Sequence, residues 1–95
     1  MLLLPATLTA IQARDTLAML SQAMPNEPAS GVTVDASGLQ QLDSTALAVL
    51  LECRRLALAW GRDFAVRQAP DKLVALARLY GVDDLLLGVA PAARE

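Results

Sequence analysis

Apolar residues recur along the chain with two periods, and each change of period marks an element. Residues 2–8 read as an edge strand, or as two short strands broken at Pro5, because proline lacks the N–H that a central strand uses. From Thr9 the period is helical: Ala10, Ala13, Leu17, Leu20 and Met24 share one stripe, and Arg14, Asp15 and Gln22 lie off it. Thr9 and Gln12 have capping-box spacing, each able to satisfy a backbone donor of the first turn. Pro25 is expected to end that helix, and residues 26–31 are a loop by composition. Val32, Val34 and Ala36 then alternate with Thr33 and Asp35, as in a half-buried strand. Asp35 closes that strand. An acid there bonds to loop N–H groups more often than it performs catalysis. Ser37-Gly38 is the turn.

The stretch from Leu39 to Leu51 is the one around which the rest is organised. It leaves a strand and enters the longest helix, expected over about residues 43–60. Asp43, Ser44 and Thr45 stand in a row where that helix begins. All three are good caps for the free N–H groups of a first turn, and one is enough. Either Asp43 or Ser44 caps and the others are merely tolerated, or one hydroxyl is exposed and used. A hydroxyl at a helix N-terminus lies in the positive end of the dipole, where a phosphate is well received.

The helix that follows is apolar around well over half its circumference, wider than the ~100° stripe of a one-sided helix. Ala46, Leu50, Cys53, Ala57 and Trp60 form one part of the arc, Leu47, Leu51 and Leu58 a second, Val49 and Leu56 a third. Part of so wide an arc is expected to meet another protein. Arg54 falls inside it, and either snorkels to solvent or pairs with an acid on a partner. Gly61 closes the helix as its C′ residue.

Residues 63–68 form the next strand. Pro70 opens another helix, with Asp71 in its first turn, Leu73, Leu76, Ala77 and Tyr80 as its buried stripe, and Gly81 past its end. Residues 82–88 give a last short strand or a final turn. Residues 89–95 read as a frayed tail, which leaves residues 1–88 as a single domain. This order is α/β, with right-handed crossovers placing the middle strands parallel in one sheet.

Composition narrows the function. The chain has 95 residues, of which 55% are hydrophobic and only 3% aromatic, so the core must be built from Leu, Val and Ala. A domain this small cannot hide so many apolar residues, which again points to a protein partner. Net charge is −2 with no basic block, which argues against nucleic acid. Histidine is absent, so the commonest general base and metal ligand is missing. Cys53, the single cysteine, reads as a small buried hydrophobe. There is no Gly-x-Ser-x-Gly elbow and no metal-spaced cluster. Lys72, the only lysine, follows no glycine loop. No catalytic residue, cofactor or metal is therefore expected. Asp83-Asp84 is better read as a solvated turn than as a cation site. Nucleotide binding ranks well below partner binding, since Asp43 would repel a triphosphate. Met1-Leu2-Leu3-Leu4 is too short for a signal-peptide core, and no run approaches the ~20 apolar residues of a membrane span. The expectation is a cytoplasmic protein with no direct membrane insertion.

Asp43-Ser44-Thr45-Ala46-Leu47 resembles the Asp-Ser-Ser/Thr-Gly-Leu signature of STAS domains, the fold of the anti-sigma-factor antagonists. The family's usual Gly falls at Ala46. Leu4-Pro5-Ala6-Thr7-Leu8-Thr9, Val34-Asp35-Ala36-Ser37-Gly38 and Leu76-Ala77-Arg78-Leu79-Tyr80-Gly81-Val82 resemble one branch of that family. This is the small cytoplasmic, MlaB-like subunit of the Mla phospholipid ABC transporter. The likeness runs over roughly residues 2–88. It implies an α/β fold with a mixed β-sheet and helices packed on it. It also implies a non-catalytic accessory subunit that binds the cytoplasmic ATPase subunit and so lies peripheral to the inner membrane. The expected contact is Leu39, Gln40, Asp43, Ser44, Thr45, Leu47 and Ala48, with Ser44 at its centre. In the antagonists, the Ser after the Asp is phosphorylated by a partner kinase. That residue is Ser44 here, so a phosphorylation-switched antagonist is the rival reading. A STAS module serving some other ATPase or transporter is the third.

Overall fold

The computed structural model describes residues 1–87. Its main sheet has three parallel strands in the order β1 (Leu2–Leu3), β3 (Gly31–Asp35), β5 (Asp63–Arg67). Leu2 lies beside Val34, and β3 runs beside β5 from Gly31↔Asp63 to Asp35↔Arg67. Two further short strands, β2 (Thr7–Leu8) and β4 (Gln41–Leu42), pair parallel with each other. The N-terminal segment is thus two strands. The Leu4 N–H still reaches the Asp35 carbonyl at 3.0 Å, but after Pro5 the chain leaves the main sheet. The α/β class holds. Every strand pair among the described residues is parallel, where a mixed sheet was expected.

Alternation decides which face is covered. Val32, Val34 and Val66 are buried under the helices, whereas Leu3 and Arg67 on the other face are exposed and Thr33 and Ala65 half-buried. The longest helix, α2 (Ser44–Ala59), supplies Ala46, Leu50, Cys53 and Ala57, all fully buried on one stripe. α1 (Ala13–Ala23) adds Thr16 and Leu20, α3 (Asp71–Leu79) adds Leu73 and Ala77, and α4 (Asp83–Leu86) adds Leu86. Burial pushes the Cys53 thiol up to about 11, so it is a core side chain with little thiolate at neutral pH.

α2 and α3 end as the glycines predict. The Arg62 N–H bonds to the Ala57 carbonyl and the Gly61 N–H to the Leu58 carbonyl, both at 2.9 Å, with Gly61 at φ +73. Gly81, at φ +72, repeats the arrangement through Val82→Ala77 and Gly81→Arg78. These are Schellman motifs, which need a left-handed residue at C′.

Two expectations change, and two others are sharpened. Regular helix begins at Ala13, not Thr9. The Gln12 side chain does reach back to the Thr9 N–H at 3.0 Å, but the Thr9 hydroxyl donates to that same Gln12 oxygen instead of capping. Residues 9–12 form a turn, and Ala10 is exposed. The α-helix ends at Ala23, just before Pro25 as expected, and a 3-10 turn, Met24–Asn26, follows it with Pro25 inside. Trp60 and Tyr80, placed on apolar stripes, are 50% and 57% exposed. Of the two alternatives for residues 82–88 the turn holds: residues 83–86 are helical, with Asp83 and Asp84 at the favourable N-terminal end. Gly88 and the tail expected over 89–95 lie outside the described residues.

Candidate protein-interaction site

The site is assembled at the C-terminal ends of the parallel strands. Beyond β3, the Asp35 carboxylate accepts the Ser37 N–H at 2.8 Å and closes the turn. That bond holds the Asp35 carboxyl below its ordinary range. Leu39 then turns into the core, and Gln40 and Gln41 both donate their N–H groups to the Ala6 carbonyl, at 2.7 and 2.9 Å. The loop entering α2 is therefore pinned on both sides.

Asp43 is the N-cap. Its Oδ1 accepts the Thr45 N–H at 2.8 Å, and its Oδ2 lies 3.4 Å from the Ala10 N–H, in the turn before α1. The Thr45 N–H is the main cause that lowers the Asp43 pKa; the Thr45 side chain and the Ala10 N–H add to it, against a desolvation cost. A depressed folded pKa gives stability that is present above the unfolded value and lost as pH falls through the folded one. Asp43→Ala should therefore lower Tm by a few degrees at neutral pH, and Asp43→Asn by less, since Asn also caps. The gap between wild type and Asp43→Ala should narrow below about pH 4. Thermal melts across pH check this; a gap that widens in acid would contradict the capping role.

Because Asp43 caps, Ser44 does not have to. Ser44 stands at the first helical position, exposed, and its hydroxyl makes no hydrogen bond with another described residue. One turn on, Ala48 is also exposed. These two small side chains form a low ridge between two shallow apolar grooves. One, of about 390 Å³, is lined by Ser44, Leu47, Ala48, Leu51, Tyr80 and Val82. The other, of about 300 Å³, is lined by Ala13, Arg14, Leu17, Thr45, Ala48 and Val49. A low ridge between grooves is a shape into which the side-chain rows of another helix can pack. Arg14 is the only Asp, Glu, Lys or Arg in either lining. Among the described residues no three His, Cys, Asp or Glu side chains gather as a metal site would require.

The structure brings together Ser44, Thr45, Leu47 and Ala48, with Leu47 as the floor of the larger groove at 4% exposure. Gln40 is exposed on the loop before them. Leu39 is different: at 3% exposure it is a core residue with almost no surface to offer a partner. Sequence reasoning missed the far walls, Tyr80-Val82 on one side and Ala13-Leu17 on the other. Tyr80-Gly81-Val82 stood out in the sequence, but its tyrosine was assigned to the core.

This fold, with a capped Asp-Ser-Thr helix start at the strand ends, is what a STAS domain presents. The family described as "Mlab, STAS domain" matches residues 4–88, so the chain belongs to the STAS family. Within it, the chain resembles MlaB, and domains of this family are generally non-catalytic. A comparison with curated proteins found no match. No helix among the described residues is long and apolar enough to cross a membrane.

Proposed function

We propose that the chain is a non-catalytic accessory subunit of an Mla-type phospholipid ABC transporter. It binds the cytoplasmic ATPase subunit and supports its assembly or activity, and through that contact it lies peripheral to the inner membrane. The contact is the Ser44–Ala48 ridge with its two grooves, edged by Gln40 and Asp43. The observation that carries this reading is the division of labour at the helix start. Asp43 takes the cap, which leaves the Ser44 hydroxyl exposed and unbonded on a low apolar surface. A small side chain there allows close approach, and a hydroxyl can bond across the interface.

The test is a pull-down of tagged protein from its own cell extract, with Ser44→Asp and Ser44→Ala beside wild type. Wild type should recover an ABC ATPase and Ser44→Asp should lose it, because a carboxylate is then buried at an apolar contact. The loss cannot come from unfolding: an acid in the first turn stabilises a helix, so the Ser44→Asp Tm should stay level or rise. Ser44→Ala should weaken recovery by the one hydrogen bond. Recovery of a kinase-like regulator by wild type, kept in Ser44→Ala, would replace this reading with the phosphorylation switch. The same exposed hydroxyl is what a kinase needs.

A further inference from the structure

β5 is a bare edge of the main sheet. Among the described residues it pairs with β3 on one side and with no strand on the other. β1, at the opposite edge, has two residues, so most of the sheet's unpaired main chain belongs to β5. One bond fixes which groups are free. The Arg67 carbonyl accepts the Ala36 N–H, on the β3 side. Residues of a parallel strand direct their N–H and C=O groups to alternate sides. Asp63, Ala65 and Arg67 therefore serve β3, while Phe64 and Val66 present theirs outward. No proline or lysine, the usual guards of an exposed edge, occurs in Asp63-Phe64-Ala65-Val66-Arg67.

We propose that this edge pairs with the same edge of a second copy, antiparallel, across a two-fold axis at Ala65. The sequence of the strand is self-complementary in that arrangement and no other. Phe64 falls opposite Val66 of the second copy as a hydrogen-bonded pair, and Val66 opposite its Phe64, which gives four main-chain bonds. An aromatic faces a β-branched residue twice, a favourable cross-strand pair. Asp63 falls opposite Arg67 of the second copy, and Arg67 opposite its Asp63. Both charged side chains are exposed, and neither forms an ion pair with a described residue of its own chain. Neighbouring registers lose both ion pairs, and those further out oppose like charges. The contact is isologous, as a closed two-fold dimer requires. It is also small, so the dimer belongs at the weak end of specific association, with Kd on the order of 0.1–1 mM. This inference does not rest on the Ser44 surface.

Sedimentation equilibrium over a concentration series tests it on the full chain. Wild type should show a monomer–dimer equilibrium in that range. Asp63→Arg and Arg67→Asp alone should each weaken it at least about tenfold, and the double variant, with the charges exchanged, should restore it. Both positions are exposed, so the fold should not change. Ala65→Cys is the second measurement. Ala65 meets its own counterpart at a non-hydrogen-bonded pair, with Cα atoms roughly 4.5 Å apart, within disulfide reach. Mild oxidation should yield a covalent dimer, blocked by adding Asp63→Arg and recovered by adding Arg67→Asp as well. A wild type with no dimer at about 1 mM, where a Kd at the weak end of that range still places about half of the chains in dimers, overturns the proposal. So does a dimer indifferent to the charge exchange.

Discussion

Leu50→Ala is expected to remove about 2–5 kcal/mol of folding free energy. A chain of this length has only about 5–14 kcal/mol in total, so the variant should be near the limit of folding at 37 °C. Leu50 is fully buried at the middle of the α2 stripe, between Ala46 and Cys53. Its neighbours on that stripe are small. With a single phenylalanine and no buried tryptophan, the core has few large side chains that could swing into the space left behind. The cavity should therefore persist, which favours the upper part of the range. Urea unfolding gives the number directly. Leu58→Ala, on the same helix at 45% exposure, should cost less than about 1 kcal/mol, because little apolar area is lost to water. Equal effects at the two positions would mean that α2 buries a different face.

That face was legible before the structure because both ends of α2 are punctuated. Asp43 caps and Gly61 reverses the chain, so residues 44–59 were framed, and helical spacing selected Ala46, Leu50, Cys53 and Ala57. β3 was legible for the matching reason, a clean period of two. Tyr80, assigned to a buried stripe, is exposed, as is Trp60 at the end of the apolar arc of α2, and for one reason. Each stands at the C-cap just before its Schellman glycine. A helical wheel gives a side chain's angle round the axis, but not whether a neighbouring element reaches that far along it. Residues 82–87 were ambiguous because Leu85-Leu86-Leu87 has no period; only Leu86 is fully buried. Leu39 was misplaced by a different route. The likeness assigned the whole loop to the contact, whereas the carbonyl of Ala6 holds that loop so that Leu39 points inward. The grooves were the least legible part, since each needs two elements far apart in sequence, α2 with residues 80–82 and α2 with α1.

The last of those facts makes Ala48 the sharpest probe of the proposed contact. It lines both grooves, and its single methyl sets the height of the ridge between them. In Ala48→Arg the helix should persist, because Arg is nearly as good a helix former as Ala and the position is exposed. Tm should move little. The long side chain would overlie one groove or the other and hold a partner off the ridge. The affinity for the ATPase subunit should fall at least about thirtyfold, the ~2 kcal/mol of a central interface position. Calorimetry or surface capture with the purified ATPase measures it. Arg55→Ala is the control. Arg55 is exposed two turns further along the same face of α2, lines neither groove, and is bonded to Glu52 one turn back, a surface pair of small energetic value. It should bind as wild type does. If Ala48→Arg also binds as wild type, the ridge is not the contact, whatever partner is recovered. If both variants lose the ATPase, the contact runs beyond the ridge along this face of α2, toward Glu52 and Arg55.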